Sequence, residues 1–470
     1  MIRCTASLSA VFFLVVALLS CTMDAARADD PPPPTPPIKL TIHPMAAPRP
    51  SLKYQLLPEF GRRIDGNAAV YYGKVTAEHI GVFGNRELIE KIENWRELPL
   101  ADLRKDDIEM PTQAIEKMLD RAARCEHCDW QLPVREENFF ELLLPEVQQT
   151  RQFARFLGTS ARIHIARHEY DEAMKCFQSS LALGRNVAEG ETLVNGLVGI
   201  AICGITVGQL QTFVEQPDAP NLYWALTMLP RPMIDMRRGI EAEMYGATTL
   251  FPEVRDLDAQ RSPDEWRQAL SGFWRRQAKY AKEANQDVGS ADELLEASLR
   301  DYPNAKQALL DRGMAAKKVD AMPAAQVIFV DMVTSFEDHR DSLFEWMFVP
   351  YADGIDRLLA EQAEIMEGQQ RNPARLLEKL LVPAVAAASA ANTRLDREFA
   401  LLRIVEALRI YGASHNGRLP EKLSDVTEVP IPDDPITGKP FEYQLQDGTA
   451  TITLTPLPGR PTKWEIKMER

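Results

Sequence analysis

LLPEVQQTRQFARFLGTSARIHIAR (Leu143–Arg167) and, one residue later, EYDEAMKCFQSSLALGRNV (Glu169–Val187) decide the fold class. In the first segment Phe153, Phe156, Leu157, Ala161 and His164 recur at spacings of three and four, which marks one face of a helix. The second keeps the same period through Ala173, Phe177 and Ser180. The two read as an antiparallel helical pair.

The helical period continues in both directions. Upstream, GNAAVYYGKVTAEHI, NRELIEKIENW and PTQAIEKMLDRAARC each follow turn or breaker residues. Downstream, Leu193–Val214 carries no charged residue and is long enough to span a bilayer. Its polar side chains and its glycines at 196, 199, 204 and 208 fit a buried core helix that neighbours approach closely; a membrane span is the alternative. Ser262 and Ser290, each ahead of first-turn acids, are helix caps. Further helices are expected over 343–369 and 373–381, and a last, longest one over 386–417. Leu395, Phe399, Leu402, Val405, Leu408 and Tyr411 form its apolar stripe, and Asn416-Gly417 supplies a left-handed stop.

After that the period changes. FEYQLQ and TATITLT alternate, and Asp447-Gly448 between them is a two-residue hairpin turn. Gly438-Lys439 just upstream is no phosphate loop. Pro440 stands where Ser or Thr is needed, Asp433 where the first glycine is needed, and no helix follows.

The N-terminus reads as an export leader, with Arg3 ahead of an apolar run from about Leu8 to Leu19. Two exits stay open. Ala26-Arg27-Ala28 fits cleavage before Asp29, whereas Leu18-Leu19-Ser20-Cys21 fits a lipoprotein leader ending at 20, with Cys21 acylated and tethering the chain to a membrane. The proline run after Asp29 is a stiff, extended spacer. The formal charge of −14 argues against a general nucleic-acid binder.

Several stretches carry family resemblances. The helical pair resembles one tetratricopeptide repeat, with Ala161, Tyr170, Ala173, Phe177 and Ser180 at the repeat's small and aromatic positions. His168 stands where that repeat usually has its turn glycine, Arg185 where a proline often ends the unit, and no second copy follows at the 34-residue period. The last 75 or so residues, a long helix, NGRLPEKL, Asp434-Pro435 and GKPFEY, resemble the soluble part of type II secretion pseudopilins. That likeness implies a helix packed on a small sheet. It also offers Asp433, Asp434 and Asp447 as calcium ligands, against the ordinary alternative of solvated turn acids. More broadly, LKYQLLPEFGRRIDGNAAVYY, AEGETLVNGLVGIAI, PNLYWALTMLPRPMIDMR and the GKPFEY tail resemble an uncharacterised group of exported, mainly helical bacterial proteins.

Candidate chemistry is sparse. Cys125 and Cys128 have the spacing of a dithiol redox centre, a small-loop disulfide or half a zinc site. Against the first, they follow a helix that is ending; against the last, a second C-x-x-C is missing. His164 and His168, four apart, can share a helix face and a metal, although packing is the plainer role for His164. Asp235, Arg237, Arg238, Glu241 and Glu243 read as ion pairs along one helix, Asp235 with Arg238 and Arg237 with Glu241. Trp224, Trp266, Trp274 and Trp346 fall in helical patterns and read as core. G-x-S-x-G, G-x-G-x-x-G and H-E-x-x-H do not occur.

The expectation is a mainly α protein, a tetratricopeptide-like array or bundle closed by a long helix and a β-hairpin. Its parts are a leader (1–28), a proline-rich spacer (29–50), a helical body (51–380) and the helix-plus-hairpin module (381–470). The expected function is that of a non-catalytic scaffold in the cell envelope, presenting helices to a protein partner, with no cofactor. The alternatives are a thiol-redox protein using Cys125 and Cys128, and a small-ligand or metal binder.

Overall fold

The computed structural model describes residues 35–104, 112–135, 144–242, 256–283, 289–371, 376–457 and 460–469. The expected leader, both of its expected exits, Cys21 and Glu243 lie outside these residues. The protein is mainly helical with a small strand-containing part. It divides into two compact units. The larger gathers the described residues up to Leu132, then Leu144–Gly239 and the chain from Ala390 onward; the smaller is built mainly from Ile240–Ser389.

In the larger unit α1 (Ala68–Glu78), α2 (Arg86–Glu97) and α3 (Thr112–Ala123) precede the hairpin of α4 (Pro145–Ala166) and α5 (Tyr170–Ala188), and α6 (Leu193–Val214) follows. Asn67 caps α1 through the Ala69 amide and Asn85 caps α2 through the Leu88 amide. The turn between α4 and α5 passes through His168, whose φ is +59°. His168 thus adopts the left-handed backbone that glycine takes most readily.

α5 packs on α3, α4 and α6, and α6 packs on α4 as well. Twelve of the nineteen residues of α5 are buried, so it is enclosed on almost every side. At the α5–α6 crossing Gly184 faces Gly199. A Cβ on Gly199 would stand 2.5 Å from the Gly184 carbonyl oxygen, so the two backbones meet at a distance only glycine allows. Among the described residues α6 is the helix long and apolar enough to cross a membrane; in this fold most of it is buried within the unit. Phe153, Phe156 and Leu157 of α4 fill the core with Tyr72, Leu183, Val187 and Ile202.

The smaller unit assembles α7 (Pro263–Glu283), α8 (Ala291–Arg300), α9 (Tyr302–Asp311), α10 (Ala324–Glu345) and α11 (Tyr351–Arg371). α10 is its centre and packs on the other four. Trp266 and Trp274 are fully buried there with Phe273 and Phe329. Ser290 and Glu293 close a reciprocal capping box, and Ser262 does the same with Glu265.

α12 runs unbroken from Leu376 to Ser414 and joins two helices that the sequence separates at Pro383. The expected stop is present: Asn416 and Gly417 both have positive φ, and the Gly417 amide donates to the Gly412 carbonyl at 2.8 Å. The expected apolar stripe is buried from Leu395 to Leu408, but so is every residue from Leu401 to Ile410. Arg403, Glu406 and Arg409, charges that mark a solvent face in a surface helix, are inside.

Arg409 and Glu406 are completely enclosed and pair at 3.0 Å. Arg409 also donates to the carbonyls of His43 (3.1 Å) and Ala219 (2.7 Å). Glu406 accepts from the Leu222 amide (3.0 Å) and the Asn221 side chain (2.6 Å). Arg403 lies over the Tyr223 ring and donates to Thr227 Oγ1 at 3.1 Å.

The C-terminal chain forms the expected hairpin and more. The short pair β4 (Asp433–Asp434) and β5 (Lys439–Pro440) encloses the Gly438 turn. β6 (Glu442–Gln446) and β7 (Thr449–Thr453) then pair antiparallel about Asp447-Gly448, both at positive φ. β8 (Lys463–Met468) adds to β7, and β1 (Ile38–Ile42), inside the stretch read as a 29–50 spacer, pairs in parallel with β8. The sheet order is β1-β8-β7-β6. Trp464 and Ile466 point inward and alternate with exposed or half-buried neighbours.

Two outcomes follow. Arg409→Ala leaves the Glu406 carboxylate buried without its partner, and we expect a loss of about 3–5 kcal/mol in urea unfolding. A loss below about 1 kcal/mol would show the pair to be incidental.

The second concerns Asp396 on α12. Burial pushes its carboxyl up to about 6, with partial relief from the Met233 amide and Arg231. The folded chain then holds this proton more tightly than the unfolded chain. Its contribution favours the fold at low pH and declines by roughly 3 kcal/mol between about pH 4 and 6. Asp396→Asn should therefore gain stability over wild type at pH 7.5 and not at pH 4.5; an equal difference at both would refute the assignment.

Candidate functional site

α3, α4 and α5 enclose a cleft of about 410 Å³ in the larger unit. Arg62, Lys117 and Lys175 share its wall with Glu116, Asp120 and Glu172, and Leu157 and Cys176 lie at its apolar side. The wall is partly self-paired. Asp120 accepts from Arg124 at 2.9 Å and stands 3.6 Å from Arg62, while Lys175 pairs with Glu172 at 2.6 Å.

Beside this wall three donor types converge, one from each helix. Glu116 comes from α3, His164 from the last turn of α4, and Cys176 from the second turn of α5. One ligand atom of each lies within 4.8 Å of the others. The hairpin produces this meeting, because residues flanking a tight antiparallel turn come opposite one another. His164 Nε2 is 3.6 Å from Glu116 Oε1, and its Nδ1 is 2.6 Å from Glu169 Oε2. Ser160 Oγ donates to Glu116 Oε1.

These contacts set the charges. Burial works against protonation of His164, but the hydrogen bonds and charges of Glu116 and Glu169 outweigh it, and the imidazole is held above its ordinary range. Burial likewise opposes ionisation of Glu116, yet His164 and Ser160 bring its carboxyl below the usual value. Burial pushes the Cys176 thiol far up.

His168 does not join this cluster. It lies beyond the end of α4 and turns to Tyr170 Oη (3.0 Å) and Asp218 (3.1 Å). The shared face read from the His164–His168 spacing fails because the helix stops at Ala166.

Cys125 and Cys128 are buried free thiols in this structure. They belong to a strand and its turn: β3 (Cys125–His127) pairs in parallel with β2 (Ile64–Asn67). The Asn67 side chain bridges to the Asp129 backbone, donating at 2.8 Å and accepting at 2.9 Å. Trp130 stacks on Tyr72, with ring centroids 5.7 Å apart. Burial raises both thiols, Cys128 far more, which is the reverse of the depressed value a reactive thiolate needs.

Other marked residues have structural partners. Asp235 pairs with Arg237 at 2.5 Å and also feels the charge of Arg238, and Arg238 pairs with Glu189 at 2.9 Å. Asp434 is buried and accepts from the Ile436 amide at 2.9 Å within its own turn. A second opening of about 590 Å³ runs along the Ala201, Gly204 and Gly208 side of α6 toward Leu395, Glu398 and Arg460.

No family model matches this chain, and neither the curated proteins nor the solved structures contain a significant match to it.

Sequence reasoning weighed His164 and did not connect it to Glu116, Ser160, Glu169 or Cys176. Glu116 lies 48 positions before His164, so no local motif spans them. The one usable signal was the hairpin itself, which sets the end of α4 against the start of α5.

Proposed function

We propose that this chain is a non-catalytic binding protein whose site is the α3–α4–α5 cleft, and that its ligand is a small polar solute carrying charges of both signs. The observation that supports this best is the wall, which sets Arg62, Lys117 and Lys175 beside Glu116, Asp120 and Glu172 in one concave surface. The protonated state of the Cys176 thiol favours binding over covalent chemistry there.

The second reading is a protein partner in the cell envelope. It draws on a single tetratricopeptide-like unit in α4 and α5, and on the exposed side chains of Phe60, Val70 and Ile80. The enclosure of α5 leaves that hairpin little face to present, so the cleft takes precedence. Export, with either cleavage before Asp29 or acylation of Cys21, remains part of the proposal on the strength of the leader-like stretch. The thiol-redox alternative at Cys125 and Cys128 is weakest, for both thiols are buried and raised.

A thermal-shift panel of amino acids, short peptides, amino sugars and phosphorylated solutes tests the reading. A ligand at 100 times its Kd stabilises the fold by about 2.7 kcal/mol, which is readily seen. The expected result is at least one stabilising solute whose effect disappears in the Arg62→Glu/Lys175→Glu double variant. The Lys175–Glu172 pair is exposed and the Arg62–Asp120 contact is a long one at 3.6 Å, so neither contributes much to stability on its own. A shift that survives the double variant, or none across the panel, would overturn the cleft as the site.

A further inference from the structure

We infer that Glu116, His164 and Cys176 form a binding site for a zinc-class divalent cation at the margin of the α3–α4–α5 cleft. The position of its open coordination site rests on the cleft reading above; the three donors do not.

Three features carry the assignment. The first is the donor set, one thiol, one imidazole and one carboxylate with ligand atoms within 4.8 Å of one another. Tetrahedral zinc places such donors about 3.3–3.6 Å apart. The His164–Glu116 edge, at 3.6 Å, already has that length. An inward movement of about 1 Å brings in the remaining donor distances. A sulfur and a nitrogen together disfavour magnesium and calcium, which take oxygen, and the carboxylate suits a borderline cation over a purely soft one.

The second feature is the surrounding shell. A metal-binding imidazole normally donates its other ring nitrogen to a carboxylate, which fixes the tautomer and the ring plane. Glu169 Oε2 stands 2.6 Å from His164 Nδ1 and does this here. With Nδ1 engaged by Glu169, Nε2 lies on the side of Glu116 and Cys176, where loss of any proton it carries frees a lone pair for the metal. The Glu116 carboxylate is itself oriented by the Ser160 hydroxyl.

The third feature is access. Glu116 and Cys176 both line the cleft, so three protein donors leave a fourth position on the side a solute enters. Coordination balances simply. The Cys176 thiol gives up its proton to solvent as the sulfur–metal bond forms, and any proton on His164 Nε2 leaves in the same exchange. No electron is transferred.

The test uses untagged full-length protein, stripped by a chelator and titrated with Zn²⁺ against a chromophoric competitor. One equivalent should bind per chain, and Cys176→Ser, His164→Ala and Glu116→Gln should each weaken binding at least tenfold. Glu169→Gln, which alters positioning only, should weaken it about 10–100-fold. Should a variant fold poorly, Co²⁺ in the wild type gives an independent readout through a sulfur-to-cobalt charge-transfer band. That band should persist in Cys125→Ser/Cys128→Ser. Failure of the wild type to take up Zn²⁺ would overturn the inference, as would uptake that survives Cys176→Ser and His164→Ala or depends on Cys125 and Cys128. The Arg62→Glu/Lys175→Glu variant should keep its zinc, so a solute reading that fails with zinc uptake intact leaves the metal site standing.

Discussion

The larger unit depends on one buried ion pair. Arg409 and Glu406 sit on α12 without exposure to water, where an uncompensated charge would cost several kcal/mol. They are tolerated because their polar atoms are met by each other, by backbone groups from two distant segments and by the Asn221 side chain. A hydrophobic pair of similar size could fill the space. It could not fix the His43 and Ala219 carbonyls or the Leu222 amide, each of which would need another partner.

The consequences reach the cleft through a chain of contacts. Arg409 holds the His43 carbonyl and its own carbonyl accepts from the Met45 amide, which places the strand β1 just upstream. The Thr41 amide of β1 donates to Glu215 at the end of α6. α6 in turn lies on α5 through the Gly184–Gly199 crossing, and α5 carries Cys176 beside His164 of α4. A donor set spread over three helices holds its geometry only if those helices are fixed, and the glycine contact and the buried pair provide this.

Much of the fold was legible in the sequence because it is local. Helical period, the Ser262 and Ser290 caps, the Asn416-Gly417 stop and the Asp447-Gly448 turn all act within a few residues, and each is present. What escaped depends on distant partners. β1 follows a proline run and becomes a strand only by pairing with β8, more than 400 positions away. Arg403, Glu406 and Arg409 have the spacing of a solvent face, and nothing local marks them as interior. The His164–His168 reading failed because the helix ends at Ala166, short of His168, while the cluster of Glu116, His164 and Cys176 needed the tertiary fold to appear at all.

The most direct test of the metal site is an X-ray structure of crystals grown with Zn²⁺, with data collected on both sides of the zinc absorption edge. The account requires an anomalous peak bonded to Glu116, His164 Nε2 and Cys176 Sγ, with Glu169 still on His164 Nδ1. A map with no peak among these three side chains, or with zinc at Cys125 and Cys128 instead, would contradict it.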